Sequence, residues 1–117
     1  MKIVKEAITI RELKDMALNM FGNIVKVVID IEKEIMAIDG ELHADEEVLL
    51  LDNGSKQENL WGINIYPDLD KKDRIEFDSM INLRPRQGNR TRSVDDPKIR
   101  SKIIEITNKL IKDEYPT

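Results

Sequence analysis

The chain contains no cysteine, which excludes a disulfide framework, a thiolate-held zinc or iron–sulfur centre and a cysteine nucleophile. Aromatic residues make up only 4% of its 117 residues. The arginine-rich stretch near the C-terminal third has none, so the base stacking usual in single-strand RNA recognition is missing there. No apolar run exceeds four residues, far short of a membrane span. The first 15 residues carry seven charged side chains and offer no apolar signal core. Walker, dinucleotide-loop, nucleophile-elbow and His-Glu-x-x-His patterns are all absent. Gly54-Ser55-Lys56-Gln57 lacks the phosphate-loop spacing and reads as a helix cap followed by a turn. The expectation is a soluble, cytoplasmic protein with no membrane partner.

What is present is charge, 36% of residues, with a formal net charge of -4. It is unevenly spread. Between Val28 and Glu58 there are ten acids against Lys33 and Lys56. Between Ser79 and Val94 there are four arginines and no acid. Whole-chain acidity argues against duplex DNA as a partner, yet leaves room for one basic loop acting locally. A chain of this length buries roughly two-thirds of its unfolded surface, enough for a core without a staple.

Thr9-Ile10-Arg11-Glu12 is a capping box, and behind it Leu13, Met16, Ala17 and Met20 recur at helical spacing until Gly22-Asn23. Residues 24–38 can be read two ways. Ile24, Val28, Ile31, Ile35 and Ile38 make a helical stripe, while nearly every apolar residue there is β-branched, which favours strand. Two strands, about 24–31 and 34–39, turning near Glu32-Lys33, are preferred. Asp39-Gly40 breaks the pattern, and a short helix follows, closed by Asn53-Gly54. Leu60–Tyr66 and Arg74–Leu83 alternate as strands and are expected to pair as a hairpin. Arg84–Asp96 is a polar loop. Asp95-Asp96-Pro97 opens a last helix with Ile99, Ile103, Ile106 and Leu110 inward and Tyr115 and Pro116 past its end. The expected architecture is a single α+β domain over 1–117, a four-stranded, mostly antiparallel sheet covered by two to three helices. Its expected core is Trp61, Ile63, Ile65, Ile75, Phe77, Ile81 and Leu83 against Leu13, Met16, Ile99, Ile103 and Ile106.

Three blocks are more particular than generic filler: residues 40–47 (GELHADEE), 54–67 (GSKQENLWGINIYP) and 81–90 (INLRPRQGNR). Together they resemble an uncharacterised prokaryotic family, a domain of unknown function. Asp39 stands where that family's pattern has a second glycine. The resemblance spans nearly the whole chain and implies one domain. It carries no activity, ligand or catalytic residue.

Two clusters are candidate sites. Glu41, His43, Asp45 and Glu47 share one face if extended, and pair four apart if helical. An imidazole with carboxylates suits zinc, manganese or a similar ion, and His43 is the only histidine. The competing reading makes the acids of this stretch, Glu46 included, a solvated first helical turn. The second cluster is Asn82, Arg84, Arg86, Gln87, Asn89, Arg90 and Arg92, a loop fit to hold an anion, with RNA or phosphate as the weaker possibility for a partner. Its competing reading is pairing of the arginines with the acidic segment, within the chain or across a dimer. Arg84 is expected to pair internally, with Arg90 and Arg92 exposed.

Two functions fit these features. One is a non-enzymatic interaction protein, a homo-oligomer or a partner-docking domain, that uses the complementary segments 28–58 and 79–94. The other is a metal-assisted hydrolase or phosphodiesterase, with His43, Asp45 and Glu47 around a divalent metal and Arg84, Arg86 or Arg90 on phosphate. No cofactor is implied outside that second reading, and the sequence leaves open whether the protein is an enzyme.

Overall fold

The structure is a computed structural model that describes residues 1–113, so Tyr115 and Pro116 lie outside the described residues. In chain order the elements are β1 (Lys2–Val4), β2 (Ile8–Thr9), α1 (Ile10–Met20), β3 (Val25–Asp30), β4 (Ile35–Ile38), α2 (His43–Asp52), β5 (Leu60–Ile65), β6 (Ile75–Glu76), α3 (Pro97–Leu110) and β7 (Ile111–Lys112). The α+β class holds. The antiparallel sheet has five strands, one more than expected, in the order β1-β4-β3-β5-β6. A separate parallel pair, β2 with β7, sets Ile8 opposite Ile111.

Residues 24–38 form the hairpin, not the helix. Val27 pairs with Ile38 and Asp30 with Ile35. All but one of the β3 residues are buried, because helices cover the sheet on both sides. That is why the segment lacks a clean in–out alternation and imitates a helical stripe. The turn signal is Asp30. Its Oδ1 accepts the backbone N–H of Glu32 and of Lys33 at 2.9 Å each, and its Oδ2 accepts the Ser55 hydroxyl at 2.6 Å. A buried carboxylate with three donors is well satisfied.

One face of the sheet, with Val27, Ile29, Trp61 and Ile63, packs on Leu13 and Ala17 of α1 and Ile103, Ile106 and Leu110 of α3. The other face, Val28, Ala37 and Leu60, packs on Leu50 of α2. Thr9 caps α1 as expected, its hydroxyl accepting the Glu12 N–H at 3.1 Å, and Asp96 caps α3.

The strand expected over Arg74–Leu83 needs correction. Pairing with β5 stops after Asn64 opposite Glu76, and Met80–Asn82 is a 3-10 turn. Beyond that point a side chain takes the place of the missing strand. Asn82 Oδ1 accepts the Gly62 N–H at 2.8 Å, and its Nδ2 donates to the carbonyls of Gly62 (2.9 Å) and Arg92 (3.0 Å). The close approach needs Gly62, since a Cβ there would lie 2.5 Å from the Ser79 Cβ. Because the chain leaves the strand, Ile81 packs on the α2 side and Leu83 is exposed, both against expectation. Trp61, Ile63, Ile65, Leu13, Ile103 and Ile106 are core residues, while Ile75, Phe77, Met16 and Ile99 are half-buried at its border.

Candidate ligand cavity

The end of β5, the start of α2 and the segment after β6 enclose a cavity of about 410 Å³. Its polar lining is Lys26 from β3, His43 from α2, Asn64 from β5, and Glu76, Asp78, Ser79 and Arg92. Exposed Leu42 and Met80 form an apolar rim.

His43 is held by its backbone neighbour. Its Nε2 lies 2.7 Å from the Ile63 carbonyl. A carbonyl only accepts, so Nε2 carries the proton and Nδ1 keeps its lone pair in the neutral ring. Burial pushes the imidazole below its ordinary value and Lys26 adds to this, while the Ile63 bond, Asp78 and Asn64 oppose it. Asn64 is buried and fixed. Its Nδ2 donates to Glu76 Oε1 at 2.9 Å and to the Asp78 carbonyl at 3.2 Å, so its Oδ1 is turned the other way. Among the described residues that oxygen has no donor.

Charges around the cavity are partly spent. Arg92 grips Asp78 through Nε at 2.8 Å and its terminal nitrogen at 3.3 Å. Glu76 accepts from Asn64 and from the Tyr66 hydroxyl. Lys26 lies over the Phe21 ring, 5.0 Å from its centre, and makes no ion pair among the described residues. Leu42 supplies no side-chain cap to α2: the N–H groups of Asp45 and Glu46 bond to the Leu42 carbonyl, and those of His43 and Ala44 have no capping side chain.

The candidate residues therefore scatter. Of the four expected around a metal, only His43 enters the cavity. Glu41 precedes the helix and is exposed, and Asp45 is exposed on it. Glu47 leans toward Arg84 and Gln57, and burial raises its pKa against their pull. Among the described residues no group of three or more His, Asp or Glu is placed to hold a metal ion. The expected metal constellation is thus corrected: the helix begins at His43 and turns its members apart. Glu46 is the residue the sequence hid. It is fully buried, its Oε2 accepts the Gly40 N–H at 2.9 Å, and burial pushes its pKa up to about 9.

The arginine loop is built on its asparagines. Asn89 Nδ2 reaches the carbonyls of Asn82, Thr91 and Ser93, and its Oδ1 accepts the Asp95 N–H. Gln87 donates to the Glu58 carbonyl at 2.7 Å. Arg84 is held internally as expected, but by the carbonyls of Gln57 and Leu60 and by the Trp61 ring 4.1 Å away, with no carboxylate of 28–58 bonded to it. Arg92 is exposed yet paired with Asp78, while Arg86 and Arg90 are exposed and make no ion pair among the described residues.

These features define an α+β domain with a cavity of mixed polar and apolar lining between its sheet and its second helix. The chain belongs to the family described as "Protein of unknown function (DUF5674)", whose model matches residues 2–110. Comparison with curated proteins and with solved structures finds no match. Among the described residues no helix is long and apolar enough to cross a membrane.

Proposed function

We propose that the domain binds a small polar molecule in the cavity between α2 and β5. The observation that carries this reading is one open space in which His43, whose Nδ1 keeps a lone pair, meets Glu76 and Lys26, neither of them in an ion pair among the described residues. The volume falls in the usual range for small-ligand sites. As the only histidine, His43 gives a single imidazole NMR signal, which titrates below the ordinary histidine value in the free protein. Screened against a library of polar metabolites, that signal should shift saturably with at least one compound. Ala44→Trp, at an exposed position that lines the cavity, should abolish the shift. A library with no hit, or shifts that survive the blocked variant, would overturn the reading.

A second reading, self-association, is favoured by the outer face of α2. Val48 and Leu51 are large, exposed and on one side of the helix, with Asp45 and Asp52 beside them. Arg86 and Arg90, exposed and without an ion pair among the described residues, are cations that such an acidic rim matches across two copies. Sedimentation equilibrium should show a dimer that Val48→Glu with Leu51→Glu turns into a monomer. A wild-type monomer at high concentration rejects it.

A further inference from the structure

We propose that the occupant of the cavity is a small amino acid-like zwitterion, with its carboxylate at the start of α2 beside Lys26 and its ammonium group between His43 and Glu76. This rests on the ligand-binding reading above and goes on to the ligand's chemistry. His43 is fixed as an acceptor at Nδ1 by the Ile63 carbonyl. Glu76 lines the same cavity, held there by the Asn64 amide and the Tyr66 hydroxyl, and has no cationic partner among the described residues. A hydroxyl has a single proton to give and no charge to set against Glu76, whereas an ammonium group has three protons and the opposite charge.

The anion end follows from the remaining cations. Arg92 is already neutralised by Asp78. What is left is Lys26 and the uncapped α2, whose first N–H groups carry roughly half a positive charge. That sum suits a monoanionic carboxylate better than a phosphate dianion.

The test uses three homologous series on the full chain at neutral pH, read by the His43 signal. Glycine, β-alanine and γ-aminobutyrate vary the separation of the two charges. Acetate, propionate and butyrate lack the amine, and the matching alkylamines lack the carboxylate. One amino acid should bind about tenfold or more tightly than both of its truncated partners. Lys26→Met should remove most of that gain while Lys26→Arg keeps it, with melting temperatures confirming that both fold. The comparison among ligands stands on the wild type even where a variant fails. Carboxylates binding as well as amino acids, amines binding as well, or no amino acid moving His43 would each overturn the proposal. If amino acids fail while another compound saturates the signal, only the ligand class is wrong. If nothing in either panel moves it, the cavity reading falls as well.

Discussion

Replacing Glu46 with glutamine raises stability at neutral pH by about 3 kcal/mol and removes most of the loss of stability between pH 5 and 7. In the fold Glu46 holds its proton up to about pH 9, against the ordinary value of 4.5 for a glutamate in the unfolded chain. Between those two values the folded state binds the extra proton. Stability is therefore fully present below about 4.5 and falls as pH rises, by about 1.4 kcal/mol per unit. Glutamine has the same shape, still offers an oxygen to the Gly40 N–H, and has no proton to lose. Space allows no larger change, since a Cβ on Gly40 would already lie 2.7 Å from Glu46 Cγ. Urea unfolding of both proteins at pH 5 and pH 7 isolates the effect, because every other group is common to the two. Parallel pH profiles would mean that Glu46 is ionised in the fold.

Asn82→Asp should cost about 3–5 kcal/mol at neutral pH, the largest loss expected from a change of a single atom type. Asn82 is wholly buried, and its amide nitrogen serves the carbonyls of Gly62 and Arg92. A carboxylate would set negative oxygen against both and leave each without a donor. Acid should rescue part of the loss, since the introduced carboxyl regains one donor when it is protonated. A loss under about 1 kcal/mol, or one that ignores pH, would mean that the segment after β6 holds its place without this side chain.

Legibility followed the backbone more than the side chains. The helices were marked by Thr9, Asp96 and the 3.6-residue spacing of Ile103, Ile106 and Leu110, all local signals. The β3–β4 hairpin was legible through β-branching, and Asp30, a turn-maker read only as one acid among ten, set its register. The alternation of Ile75, Phe77, Ile81 and Leu83 misled because Ser79 and Asn82 form better bonds outside the strand than in it. Of the cavity, His43 and Arg92 were foreseen, but in two separate clusters. Lys26, Asn64, Glu76 and Asp78 come from three separate stretches, and nothing local marks their meeting. Glu46 sits in an acidic run whose composition describes a wet helix turn, and burial of one member is a tertiary fact.

The pairing of β2 with β7 has a topological consequence. With Ile8 beside Ile111, the entry into α1 is tied to the exit of α3, so two residues far apart in sequence close one long loop of chain. Closing a loop of that length costs more chain entropy than closing a local turn, and the pair is short, so its amides should exchange with solvent faster than those of the six-residue β3.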